Sequence, residues 1–448
     1  MTTQQTTETA RFKQRVNYRE TPKQAPTFSR AMRLALLAAT ACSLTTYSYG
    51  QSASSFLPPN EIGASQPLVD GLDDSVEAIE PLGCIDASVS NERFVRGDVY
   101  FDFEYLLWDF EGADLTTLLV ANPVGTPLTA VGLPSEPSTQ TVIGGQSLGD
   151  LSQSGLRLRA GRIVDGDLFS RWEISSFVLF ESTESLIVGT DTNGQLLTRP
   201  FFNTQTGQPD AQAISLPGIV DGSLGVEYSR RFWGLDPTVF LCLSGDCCSS
   251  REAFSGYRFL RYEDQITIDE SVLPVSNAFI APGSEIRVLD TIRARNNYHL
   301  IPLGINYSRR GDRWRVNIRG SIGLGVVTQR AELSGSTTNL VNGAVTSTAD
   351  GGFAVLSSNA GEFSQTRFAW VPELNLNLRR HIRGGLWLQF GYSLLYLNDV
   401  ARAPTLISTS VDPNLLPPTT ATGTDPAFSF VSDSELIHGL NVFLQWNY

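Results

Sequence analysis

Apolar and polar residues alternate along much of this chain, most cleanly in RWRVNIRGSIGLGVV, Arg313 to Val327. Trp314, Val316, Ile318, Ile322, Leu324 and Val326 share one parity, and Arg313, Arg315, Asn317, Arg319 and Ser321 the other. A period of two is that of a β-strand, whose successive side chains point to opposite faces. The apolar parity runs for 13 residues, Trp314 to Val326. That exceeds the roughly 5–6 of an ordinary strand and suffices for the roughly 9–11 that a tilted strand needs to cross a bilayer. A register slip of one residue would turn Arg319 into the apolar phase, at about 2–4 kcal/mol at a membrane midplane.

The same alternation recurs from about Gly97 onward. Val99, Phe101, Phe103, Tyr105 and Leu107 oppose Asp102 and Glu104; Leu156, Leu158 and Ala160 alternate with Arg157 and Arg159; Trp172, Ile174, Val178 and Phe180 follow an Asp165-Gly166 turn. Further strands are predicted over Gly222 to about Leu243, with a bulge near Trp233-Gly234 and Pro237, and over Glu252 to Ile268 and Asn296 to Tyr307. The set is completed by the opening segment, a strand through Leu374 to Leu378, one through Leu386 to Tyr396, and a last from Leu436 to Tyr448. Five long connections rich in Gly, Pro, Ser and Thr alternate with four short turns; one of the long ones spans Leu333 to Glu362. Short turns at one end, long loops at the other, an even strand number and aromatic edges are the marks of a transmembrane barrel. The expected fold is therefore all-β: an up-and-down antiparallel transmembrane barrel of about 10 strands, with 12 as the variant, and long extracellular loops. Closure removes the sheet edges that a membrane cannot satisfy. A soluble sandwich also alternates, but long strands and loops gathered at one end favour the barrel.

Composition narrows the picture further. In 448 residues no apolar run reaches the 18 or more of a membrane helix. The net charge is -13, and residues 1–50 hold 7 basic and 2 acidic side chains, leaving 26 basic against 44 acidic for the rest. An acidic body excludes a nucleic-acid partner, which needs a basic face. Arg30 and Arg33 before the short run Leu34 to Leu44 read as an export signal, with small residues at Ser48 and Gly50 suiting a cleavage before Gln51. Either Met32 is the true start, or the polar lead is an extended n-region. Three segments follow: 1–50, export signal with polar lead; 51–95, an aperiodic Pro/Ser/Gly/acidic stretch expected to be a disordered periplasmic linker; 96–448, the barrel.

Several runs carry a family resemblance: FDFEYLLWDFEGADLTTLLVANP, RAGRIVDGDLFSRWEISSFVLF, FSGYRFLRYEDQITI, NNYHLIPLGINYSRRGDRWRVNIRGSIGLGVV and LRRHIRGGLWLQFGYSLLYLNDVARAP. In this order they resemble the planctomycete beta-barrel porin family, the seventh so named, over nearly all of Tyr100 to Tyr448. The resemblance implies an outer-membrane barrel, and it supplies no catalytic or ligand residues.

Candidate chemistry is sparse. His299, His381 and His438 stand in no metal or triad spacing, and there is no Gly-rich phosphate loop or nucleophile elbow; no cofactor, metal site or catalytic residue is assigned. The inward parities carry Arg157, Arg159, Arg313, Arg315 and Arg319 opposite Asp102, Glu104 and Glu373, a selectivity region or an ion-paired plug. Trp108, Trp172, Trp314, Trp387, Trp446 and Tyr448 are assigned to the aromatic girdles. Cys84, Cys242, Cys247 and Cys248 are expected to form disulfides in an oxidising compartment. The expected partners are outer-membrane lipid, the barrel-assembly machinery during insertion and small solutes. Two functions fit: an outer-membrane porin passing small solutes by passive diffusion, or a non-conducting barrel displaying long loops for adhesion or surface architecture. A ten-strand interior lies near the size that side chains just fill.

Overall fold

A computed structural model describes residues 99–164, 169–189, 194–246, 248–275, 283–383, 386–419 and 421–446. The export signal, the linker, the Asp165-Gly166 turn, Cys84, Cys247, Tyr448 and the Trp446 side chain lie outside the described residues. Ten staves form the wall: β1 (Val99–Phe110), β2 (Gln153–Ile163), β3 (Phe169–Gly189), β4 (Val220–Gly245), β5 (Ser249–Gly256 with Arg258–Pro274), β6 (Ser284–Arg310), β7 (Trp314–Val341), β8 (Gly361–Arg383), β9 (Leu386–Ala401) and β10 (Ser432–Trp446). Each pairs antiparallel with its neighbours in sequence, and β1 pairs with β10 from Tyr105↔Val442 to Phe110↔Ile437, closing the ring. The sheet is an up-and-down barrel with no free edge among these staves. A chain ending at Val431, before β10, should leave the β10 edge of β1 unpaired and lose the heat-modifiable gel mobility of a folded barrel; normal mobility would rule out β10 as the closing strand.

The alternation of β7 is realised as expected. Trp314, Val316, Ile318, Ile322, Leu324 and Val326 are exposed on the outer wall, joined there by Ile301, Leu303 and Ile305 of β6 and Phe101 and Phe103 of β1. At roughly 3.3 Å per residue and a tilt near 40°, the 13-residue apolar run (Trp314 to Val326) spans about 30 Å, comparable to the apolar band of such barrels. Beyond it the outer face turns charged, with Arg295 and Arg293 on Glu263 at 3.0 and 3.3 Å, Arg231 on Glu181 at 2.6 Å, and Arg330 on Glu362. The walls therefore rise past the lipid.

Several boundaries differ from the sequence expectation. β6 begins at Ser284, and β7 runs on to Val341, turning through Asn342-Gly343 into a short strand Ala344–Asp350. Polar Ser/Thr runs there pair with each other above the membrane, where nothing requires an apolar face. The irregularities of β4 lie at Arg230/Phe232 and Phe240/Leu241 against β3, not at Trp233-Gly234. Pro237 instead interrupts the partner strand: β5 breaks at Tyr257, which faces a residue with no N–H to give, while the register on either side stays continuous.

The long connections fold inward. Leu196–Asn203 pairs with Leu119–Asn122, with Gln208–Ser215 and, in parallel, with Ser410–Val411; Leu119–Asn122 also pairs with Gln140–Ile143. This loop sheet and the inward faces of the upper staves share one apolar core, in which Leu119, Leu197 and Ile214 of the loops meet Leu224, Ile266, Ile292 and Ala331 of the wall.

Candidate functional site

The lumen is built in three layers, read from the short-turn end. The first is a sheet of ion pairs. Glu104 of β1 lies directly opposite Arg157 of β2 and accepts from it at 3.1 Å; Arg159, one pleat along, reaches the same carboxylate at 3.0 Å, and the Gln389 amide donates to it at 3.0 Å. Arg171 of β3 joins Glu173 at 2.9 Å and Glu252 of β5 at 3.0 Å, while the Tyr100 hydroxyl donates to Glu173 at 2.8 Å. Arg258 of β5 clamps Asp236 at 2.7 Å and Glu373 of β8 at 2.5 Å. Arg319 of β7 crosses the bore to Glu173 of β3 at 2.8 Å. In a ring of ten, β3 and β7 are nearly diametric, so this one guanidinium ties opposite walls together. The cavity left among these groups measures about 60 Å³, room for a handful of waters.

The candidates from sequence are placed as follows. Arg157, Arg159, Arg319, Glu104 and Glu373 all belong to this layer. Asp102 stands 4.0 Å from Arg379, at the limit of pairing. Arg315 is buried inward, with its guanidinium 4.5 Å over the Trp387 ring. Arg313, expected inward, is exposed in the turn before β7, beyond the last inward position. Missed altogether were Arg171, Glu173, Asp236, Glu252, Arg258 and Arg379. Arg171 and Glu173 flank the outward Trp172, so parity alone would have found them. The layer mixes arginines and carboxylates in near balance, which suits mutual neutralisation better than a ring of one sign.

Two girdle assignments are corrected. Trp108 is buried in the lumen, where its indole N–H donates to Asn441 Oδ1 at 3.0 Å and Arg157 lies over its ring at 5.2 Å. Trp387 is buried beneath Arg315. Each shares the parity of an inward polar residue, Glu104 and Gln389 respectively, and the pleat decides its direction whatever the residue type. Trp172 and Trp314 are exposed on the outer wall.

Above the ion pairs lies an aromatic waist. Trp108 and Phe177 stand 5.2 Å apart between ring centroids, Phe177 and Phe232 5.0 Å, Phe110 and Phe232 6.1 Å, and Phe232 and Tyr262 6.1 Å. Tyr262 of β5 donates across the barrel to Glu435 of β10 at 3.2 Å, and Arg402, at the start of the last loop, meets the same carboxylate at 2.5 Å.

The third layer is the loop core, latched to the wall by Arg199. From the loop sheet it reaches Glu270 of β5 at 3.3 Å and Asp290 of β6 at 3.4 Å. Asp290 also accepts the backbone N–H groups of Ala354 and Val355 at 3.0 Å each and of Phe353 at 3.1 Å, so one carboxylate holds two loops.

At the short-turn end, Cys242 is disulfide-bonded and Cys248 is an exposed thiol. The expectation of a disulfide at Cys248 is therefore corrected. Asp246 between them accepts the N–H groups of Cys248 and Ser249 at 2.7 and 2.6 Å, which holds its carboxyl below the usual range. Among the described residues, no group of three or more His, Cys, Asp or Glu is arranged to hold a metal ion.

Residues 100–448 match the family model described as Putative beta barrel porin-7. No curated protein matches the chain. Solved structures similar to it include the outer membrane protease OmpT from Escherichia coli, at 6% identity over 80% of this chain and 99% of that one with a TM-score of 0.36. A Pseudomonas aeruginosa FadL homologue shows 9% identity over 77% and 88% with a TM-score of 0.20. The P. putida toluene transporter TodX shows 7% over 79% and 91% with a TM-score of 0.18. With the family match spanning the whole closed ring of staves and the apolar belt around it, the chain belongs to the beta barrel porin-7 family and is an outer-membrane β-barrel.

Proposed function

We propose that this barrel, as folded, is closed to passive diffusion and acts through its long-loop end, as a non-conducting barrel that presents a folded loop domain at the cell surface. The observation that carries the reading is the Arg319–Glu173 bridge across the bore, backed by the aromatic waist and by the loop core above it. A solute would have to separate buried ion pairs, part a ring of packed aromatics and unseat a hydrophobic core. Each step exposes groups whose burial is favourable only while they stay together.

A second reading, passive passage of small solutes, draws on the family match and on the polar cavity between Arg159, Glu173 and Glu373. It requires the loop core to leave the mouth. Recording from purified full-length protein in planar bilayers separates the two. The closed reading expects baseline current for the wild type and for the Arg315→Ser/Arg319→Ser variant, since Trp108, Phe232 and Tyr262 still block the bore. Current is expected only when residues 196–215 are replaced by a short linker and the waist is opened by Phe232→Ala. Steady wild-type channels would overturn it in favour of the porin reading.

A further inference from the structure

A second cavity, of about 410 Å³, lies inside the mouth between the loop sheet and the upper wall. Its volume falls in the roughly 300–1,000 Å³ range of small-molecule sites. Leu128 and Val131 of the first long loop, Leu216 and Ile219 of the second, and Val220 and Val272 of β4 and β5 supply an apolar lining. Leu128 is exposed at the rim. One lining side chain is polar. Thr198, within Leu196–Asn203, is buried, and its hydroxyl has no hydrogen-bond partner among the described residues. Its backbone is held on both sides, by Val120 and by Ala213, so only rotation of the side chain can bring the hydroxyl to a partner.

The Thr198 hydroxyl packs toward Gly132, one side-chain rotation away from the chamber, and an unpartnered hydroxyl is anomalous in a folded core, where buried polar groups are nearly always bonded. The anomaly disappears if the side chain turns toward the chamber and an occupant there brings the missing partner. We propose that this cavity is a binding site for a small, largely apolar molecule carrying one hydrogen-bonding oxygen, such as a phenol or a medium-chain alcohol or ketone. Its apolar body lies against Leu216, Ile219 and Val220, and its oxygen meets the Thr198 hydroxyl. Gly132, whose φ is +80°, backs the Thr198 side chain so closely that a Cβ there would fall 2.3 Å from the hydroxyl oxygen. Rotation about χ1 exchanges the threonine methyl and hydroxyl and turns the donor to the chamber. The site lies within the loop domain, above the ion-pair layer and the waist, so it stands whether or not the barrel conducts.

The test uses the full-length protein in lipid nanodiscs, empty nanodiscs as the blank, and 2-naphthol and naphthalene as paired probes in equilibrium dialysis. Saturable binding of both at one per barrel above the blank is expected. Thr198→Val, which keeps shape and removes the hydroxyl, should weaken 2-naphthol about five- to tenfold and leave naphthalene unchanged. Ala213→Trp should fill the chamber and abolish both, and Ala211→Phe gives a second filling variant should the first fail to assemble. Uptake that does not saturate, or that equals the blank, overturns the site on wild-type protein alone. Equal loss of both probes in Thr198→Val overturns the role given to the hydroxyl.

Discussion

Replacing Glu104 by Leu should destabilise the barrel by about 3–5 kcal/mol, because it leaves the buried Arg157 and the half-buried Arg159 without their shared carboxylate. Glu104 is 1% exposed. It holds Arg157 and Arg159 at 3.1 and 3.0 Å, and Gln389 ties it in turn to Arg379, whose guanidinium lies 2.9 Å from the amide oxygen. Removing the anion from this hub leaves two cations in a site that water can fill only in part. The neighbouring outward change Phe103→Leu removes apolar surface from an exposed position and should cost under about 1 kcal/mol. Urea unfolding in detergent micelles, followed by tryptophan fluorescence, reads the difference. The double variant Glu104→Leu/Arg157→Met should recover part of the loss, as expected of a coupled pair. A midpoint shift for Glu104→Leu no larger than that for Phe103→Leu would mean that the ion pairs are water-filled and weak.

The second large effect is expected at the lipid face. Ile322→Arg should block assembly into vesicles, at about 2–4 kcal/mol for an arginine at the bilayer midplane, whereas Thr328→Arg on the same strand and the same face should cost about 0–1 kcal/mol. Ile322 sits near the centre of the apolar run of β7, and Thr328 lies just past Val326, where the outer face becomes polar. The comparison holds strand, face and new side chain constant and varies only depth. Equal folding yields for the two variants would move the membrane boundary away from Val326. An inward control on this strand would be a poor one, because Ser321 has a buried hydroxyl in the packed lumen, so an added arginine there would be disruptive for reasons of volume rather than of lipid.

The wall of this protein is legible in its sequence because every stave interaction is local or nearly so. Parity along Trp314 to Val326 follows from the pleat, and antiparallel pairing of consecutive staves needs only short turns and matched apolar faces. Arg157 and Arg159 against Glu104 were readable for the same reason: β1 and β2 are neighbours in the ring, and parity alone puts all three inside. Trp108 and Trp387 show the cost of judging by residue type where parity was available, since tryptophan favours membrane interfaces in general, while its direction on a given strand is set by its place in the alternation.

What lies across the lumen was not legible. Arg319 and Glu173 are 146 positions apart, and whether they meet depends on the diameter and stagger of the closed ring. The same holds for the mouth. The loop segments 119–122, 196–203 and 410–411 come from three different connections; the first and last are too short to announce a strand, and LLTRPFFN over Leu196–Asn203 shows no alternation and holds Pro200. They become strands because the upper walls present Leu224, Ile266, Ile292 and Ala331 inward, and that apolar surface must be covered by something. The sequence by itself determined a membrane barrel of about ten staves, with twelve as the variant, with charge inside and apolar residues outside. Only closure of the ring decided that the charges meet and the loops descend, because both depend on distances across the barrel that no run of neighbouring residues encodes.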